Sequence, residues 1–345
     1  SGLVAKNEKG EEIRIPGKLK GVKAIGWFIE EYNVAQVSIN ITKFRETPLH
    51  KVFDECVNSA TERGMRVTGS EIVGLVPLSA MLEAGRYFLE KQKLSIGVSD
   101  EELIHIAIKS MGLDELGPFK PEERVIEYLL KYSADSKLVN MTLADFANET
   151  SSESPAPGGG SIAAYVGALG VSLATMVANL SSHKKGWDER WEEFGNWAEK
   201  GEKIKNELVS LVDADTKAFN KIMEAFGLPK STDEEKLART NAIQEATKFA
   251  IEIPFQVMMA SYNSMEVIKA MAEIGNPNSV SDAGVGALCA RSAVKGAFMN
   301  VRINTNGYND KVYVAETLKR GKEIENKAIA LEEEILKIVD GKIGN

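Results

Sequence analysis

The chain has 345 residues, with 42 Lys plus Arg against 50 Asp plus Glu, a formal net charge of −8 at pH 7, and only two cysteines and three histidines. That length predicts about two domains and ample chain to bury a core. The charge argues against nucleic acid or an anionic membrane surface as partner. The cysteine count excludes a disulfide framework and a Cys-rich zinc site, and fits a reducing, cytoplasmic setting.

No signal peptide opens the chain, and residues 1–20 read as an irregular polar leader. The first residue is Ser rather than Met, which fits a processed chain or a piece of something longer. Val22–Tyr32 and the alternating run from Ala35 to Ile41 predict two strands. Thr47 as N-cap and Pro48 at the first helical position open a helix with Leu49, Val52, Phe53, Cys56 and Ala60 on one face. Gly69 to Val76 predicts a further strand, and helices follow over Leu78–Lys91 and Glu101–Met111. Residues 1–133 therefore read as a small α+β unit.

From residue 138 to 345 no convincing strand appears, and an all-helical domain is expected. Thr142 with Asp145 opens a short helix ending near Asn148. A Pro-rich loop leads to Gly158-Gly159-Gly160 and a long apolar helix from Ser161 to Ser182. Amphipathic helices fill Trp187–Lys230. Thr232 and Glu235 cap the next, which ends near Glu252, and Pro254 begins another. Gly275–Asn278 is a turn, followed by helices over Ser281–Asn304 and Val312–Val339.

The apolar helix is almost long enough to span a bilayer. Its Ala, Gly, Ser and Val content, with Ser172, Thr175 and Asn179 inside, favours a buried central helix and no membrane. A helix polar on no face must be covered all round, which predicts a homo-oligomer.

Several residues are candidates for chemistry. The turn Gly159-Gly160-Ser161 stands before a helix N-terminus, where free N–H groups attract anions, or it is simply a tight turn. Lys184 and Lys185, beyond the other end, either satisfy the helix dipole or dock carboxylates. Asp213 and Asp215 sit in one helix and cannot face the same way. Both belong to a solvated face, or one points inward as general base or ligand anchor. Asn276, Ser281 and Asp282 cluster before the second small-residue helix, with Ser281 or Asp282 as its N-cap. Asn300 and Asn304 recur one turn apart and offer amides to a heterocycle. Glu102 and His105 form a lone metal-like pair that reads as an ordinary helix face, so no metal is expected.

Taken together, the strings become specific. Pro155–Ser161, Leu211–Asp215 with Ala218-Phe219, Gly227–Lys230, Gly275-Asn276, Ser281–Val285, and Asn300-Val301 with Asn304 occur in an order that closely resembles the formimidoyltetrahydrofolate cyclodeaminase and methenyltetrahydrofolate cyclohydrolase family. Leu19-Lys20, Gly26-Trp27, Ala35–Ser38, Gly69–Leu78 and Glu123–Tyr128 resemble the C-terminal subdomain of glutamate formimidoyltransferase. The whole order is similar to that of the bifunctional formiminotransferase-cyclodeaminases.

The resemblance implies a ferredoxin-like first unit and a multihelical second one that forms interlocked dimers. It implies closure of 5-formimidoyltetrahydrofolate to 5,10-methenyltetrahydrofolate with release of ammonia, in one-carbon metabolism and histidine degradation. Tetrahydrofolate would be the substrate carrier, polyglutamylated. Asp215 and Asp282 are then the candidate catalytic residues. Gly159, Gly160, Ser161, Lys184, Lys185, Asn276, Asn300 and Asn304 are the candidate substrate contacts. None of His50, His105 or His183 matches the family's transferase histidine motif, so formimino transfer is expected only with a separate N-terminal transferase chain. The alternatives are a methenyltetrahydrofolate cyclohydrolase and a non-catalytic folate-binding scaffold.

Overall fold

The computed structural model describes residues 6–12, 17–31, 33–131 and 137–344. The chain divides into two compact units. Unit 1 holds residues 1–88 and 100–132, and unit 2 holds 89–99 and 133–345.

In unit 1, β1 (Val22–Ile29) and β2 (Val34–Ile41) form an antiparallel hairpin in register from Val22 opposite Ile41 to Ile29 opposite Val34. Helices α1 (Leu49–Thr61), α2 (Leu78–Lys91), α3 (Asp100–Met111), α4 (Pro121–Arg124) and α5 (Ile126–Lys131) follow. Their core gathers Met81, Ala84, Ile104, Ala107 and Val125. The N-cap of α1 is Pro48, because the Thr47 hydroxyl donates instead to the Lys20 carbonyl at 2.7 Å.

The strand expected over Gly69–Val76 does not form. Ser70 turns its N–H to Gly112 and its hydroxyl to the Met111 carbonyl, and Gly74 adopts a φ of 84°. Only Val76 pairs, in a parallel bridge with Val125. The glycines that open this segment let it hug the end of α3, where Gly112 and Gly69 nearly touch. Its backbone groups are satisfied there and not by β2. The sheet therefore has two strands among the described residues, and a ferredoxin-like sheet is not formed by them.

In unit 2, α6 (Leu143–Thr150) is capped by Thr142, as its sequence predicts. Then come α7 (Gly159–Ser182), α8 (Trp191–Gly227), α9 (Asp233–Ile274), α10 (Val280–Asn304) and α11 (Lys311–Ile343). Helices α8, α7, α10 and α11 pack side by side in that order, and α9 lies against all four. The apolar α7 is thus surrounded by protein on most sides. Small residues allow the close approach. A Cβ on Gly170 would stand 2.9 Å from the Gly286 carbonyl and from Cys289 Cβ.

Two boundaries differ from the sequence reading. The Trp191–Gly227 segment is one helix of 37 residues. Likewise α9 runs unbroken for 42 residues, with Pro254 inside it. Proline removes a single intrahelical hydrogen bond. Burial of Pro254 and its neighbours Ile251, Ile253 and Val257 holds the helix through that gap.

Candidate active site

The N-cap of α7 is Gly158, which has no side chain to satisfy the first N–H groups. The cap arrives from α8. Asp215 Oδ2 accepts the Ser161 N–H at 3.0 Å and lies 3.3 Å from Ser161 Oγ. A Cβ on Gly160 would stand 2.1 Å from Asp215 Oδ1, so the glycine makes room for the carboxylate. The anion seat that the sequence offers to a ligand thus holds the chain's own Asp215. Ser161 is fully buried, and its hydroxyl donates to the Val212 carbonyl at 2.8 Å. It supports Asp215 from below and is closed to a substrate in this arrangement.

Burial pushes the Asp215 carboxyl above the ordinary aspartate range, against the two Ser161 hydrogen bonds that pull it down. A carboxyl that exchanges its proton closer to neutrality is suited to acid–base work.

Asp213 is two residues away and points elsewhere, as helical spacing requires. It is buried, and its oxygens accept the Leu138 and Val139 N–H groups at 2.9 and 3.3 Å. The solvated face is therefore not what these two aspartates form. One clamps the chain entering unit 2 and the other seats on α7.

The end of α10 meets the start of α7. Asn300 Nδ2 lies 3.3 Å from where a Cβ of Gly159 would be, and donates to the Gly296 carbonyl at 2.9 Å. Asn304 Nδ2 donates to Ala250 of α9 at 2.7 Å, which makes it a tie between helices. Gly159, Gly160, Ser161, Asp215 and Asn300 are therefore together.

The remaining candidates gather at the other end of α7, whose 24 residues span about 36 Å. Lys184 lies over the Trp187 ring at 4.0 Å, and Lys185 is exposed. The Asn276 N–H donates to Ser181 Oγ at 2.8 Å, and its side chain accepts from Asn278. Asp282 lies in the first turn of α10, whose N-cap is Ser279 and not Ser281 or Asp282. In one chain these residues do not reach Asp215.

A cleft that the sequence reading missed lies in unit 2 between α7, α8 and residues Gly97–Ser99, with a volume of about 490 Å³. Its wall carries Thr175, Asn179 and the Glu202–Lys205 ion pair. In sequence that pair is an unremarkable i, i+3 couple on a charged helix. Glu102 and His105 are exposed on α3, and among the described residues no group of three or more His, Cys, Asp or Glu is placed to hold a metal.

Comparison with known proteins gives this geometry a family. The formiminotransferase-cyclodeaminase family model matches residues 142–323, and the formiminotransferase domain model matches residues 4–131. The formimidoyltransferase-cyclodeaminase of Gallus gallus is 40% identical over 311 residues, covering 90% of this chain and 57% of that protein. The chain thus spans little more than half the length of that relative. The methenyltetrahydrofolate cyclohydrolase of Methylorubrum extorquens is 38% identical over 59% of this chain and 98% of its own length. The crystal structure of formiminotetrahydrofolate cyclodeaminase from Thermotoga maritima matches with a TM-score of 0.54 and 27% identity, over 60% of this chain and all of that one. Unit 1 carries formiminotransferase-domain sequence beside the cyclodeaminase-like unit, as the resemblance of its strings implies. With two adjoining domains matched, and one relative covered almost end to end, the chain belongs to the formiminotransferase-cyclodeaminase family.

Proposed function

We propose that unit 2 is a folate-dependent cyclodeaminase. It closes 5-formimidoyltetrahydrofolate to 5,10-methenyltetrahydrofolate and releases ammonia. The observation that carries this reading is Asp215, a half-buried carboxyl of raised pKa seated on the first turn of α7.

The reaction needs little else. N10 attacks the formimino carbon of the same molecule, forming the N10–C bond while the C=N bond becomes single. The N10 proton passes to the former imino nitrogen, a further proton joins it, and the C–N bond breaks to free ammonia. Both reacting atoms are in one substrate, so holding the reactive conformer supplies much of the rate. Asp215 carries the proton between the two nitrogens, and no metal is required by the chemistry. Asn300 at the rim offers an amide to the pterin. Lys184 and Lys185 attract the carboxylates of a polyglutamate tail.

A cyclohydrolase, which opens the methenyl bridge with water, is the second reading, favoured by the high coverage of the Methylorubrum relative. Ammonia release separates the two. Unit 1 is assigned a part in formimino transfer together with a second transferase segment, since none of the three histidines carries the motif that the resemblance asks for. We further assign the chain to the cytoplasm as a homo-oligomer. The test is turnover of 5-formimidoyltetrahydrofolate by the purified chain, followed by ammonia and by methenyltetrahydrofolate absorbance. Absence of both products would overturn the reading.

A further inference from the structure

Four residues lie in a row across the start of α7. Asn300 of α10 stands at Gly159, and Asp215 of α8 stands at Gly160 and Ser161. Gly159 is exposed and carries no side chain, so the ground between the amide and the carboxyl is open. The row continues beyond Asp215 on the same helix. Phe219 is one turn further along α8, which puts its Cβ about 5–6 Å from that of Asp215 on the same face.

Phe219 faces past the end of α7. The two helices run antiparallel, with Gly201 against Thr175, Leu208 against Gly167 and Asp215 against Ser161. The same register sets Phe219 opposite Pro157, before the first residue of α7. Helix α7 therefore no longer covers the α8 face at that level. Leu208 and Val212 on this face are buried beneath α7, whereas Phe219 is 37% exposed. An aromatic ring is thus left with a free surface at the border of the Asp215 site.

The substrate has a ring to put there. The middle ring of a tetrahydrofolate is reduced at N5 and is not flat. Only the pyrimidine half of the pterin and the aminobenzoyl ring offer planar π surfaces. N10 is bonded directly to the aminobenzoyl ring, so a group that takes the N10 proton stands beside that ring and leaves its face free. Aromatic rings pair with centroids about 4.5–7 Å apart, and a residue one helical turn from the proton carrier reaches that distance. With the pterin toward Asn300 and the formimino bridge at Asp215, the aminobenzoyl ring falls on Phe219.

We propose that Phe219 is the stacking surface for the aminobenzoyl ring of the folate and selects substrates that carry an aryl group on N10. This rests on the reading of Asp215 as the proton carrier. The contact is the same in the ground state and the transition state, so it holds the substrate without sharing in proton transfer. An aliphatic side chain of similar bulk fills the space but gives up the attraction between rings.

The test is steady-state cyclodeamination by the purified chain, with 4-aminobenzoylglutamate, the aryl fragment of the substrate, as inhibitor. The fragment is expected to compete with 5-formimidoyltetrahydrofolate. Phe219→Leu should raise KM and the inhibition constant of the fragment together, roughly 10-fold each, while kcat changes less than about twofold. Phe219→Tyr should restore both constants. A purely structural role would instead lower kcat and melting temperature and would not move the two constants in step. Phe219→Trp gives a readout that needs no turnover. Its fluorescence in excess of the unmodified protein should be quenched by the fragment. Unchanged constants in Phe219→Leu, or excess fluorescence that the fragment leaves untouched, overturn the stacking role and leave the cyclodeaminase reading standing. Should Phe219→Leu fail to fold, the Phe219→Trp signal decides alone. No ammonia from the unmodified chain, or full turnover by Asp215→Asn, overturns the parent reading and this one with it.

Discussion

At the scale of single residues, Asp215 concentrates the account. Its pKa is raised in the folded state, so the stability linked to its proton is complete below the unfolded value of about 3.9 and is lost as pH rises through the folded value. Above that folded value the fold bears the cost of burying a carboxylate. Asp215→Asn keeps an acceptor for the Ser161 N–H and removes the charge. It should melt at or above the temperature of the unmodified protein while turnover falls roughly 100-fold, a split that calorimetry and the ammonia assay check together. Gly160→Ala puts a methyl group 2.1 Å from Asp215 Oδ1 and should displace the carboxylate, with loss of turnover and of melting temperature together. His50 in unit 1 titrates in the opposite sense. Desolvation holds it below the usual histidine range, against the pull of Glu83 and Asp54, and its ring stacks on Tyr87 at 4.2 Å. Its contribution to stability is present above about pH 6.5 and fades as pH falls toward the folded value. His50→Phe keeps the stacking partner and should flatten the acid side of the stability profile of the chain, measured by denaturant titration from pH 7 to 5.

At the scale of elements, the sequence was most readable where local chemistry decides the outcome. The Thr142 cap, the Thr232–Glu235 capping box and the hairpin alternation at Ala35–Ile41 all rest on neighbours in the chain. It was least readable where distant segments overrule local preference. Pro254 predicts a break, but burial against the surrounding helices carries α9 through it. Gly69–Val76 predicts a strand, but its glycines dock on the end of α3. The role of Asp215 was only half visible. Spacing shows that it diverges from Asp213, yet nothing local shows that it caps the first turn of α7 through Ser161, 54 residues earlier. The α7–α10 contact gives an element-scale prediction. Gly170→Leu drives a side chain into the Gly286 carbonyl and should cost about 1–3 kcal/mol or more, read as a lowered midpoint in urea.

At the scale of the whole molecule, chain order joined transferase-like and cyclodeaminase-like strings, and the two domain matches follow the same order. The unit boundary was harder to see, because residues 89–99 cluster with the helical unit although they lie between two helices assigned mainly to the first. That insertion places Gly97 against Ala198, where a Cβ would come within 2.2 Å, and no periodicity in the sequence announces it. The split of the candidate site over the two ends of α7 was likewise hidden, since it depends on which helix ends meet. The central claim remains the chemistry of unit 2. It is tested most directly by incubating the purified chain with 5-formimidoyltetrahydrofolate and following ammonia and methenyltetrahydrofolate together. The account predicts both products in equal amounts, at a rate that collapses in Asp215→Asn. Hydrolysis of methenyltetrahydrofolate with no ammonia from the formimino substrate would contradict it.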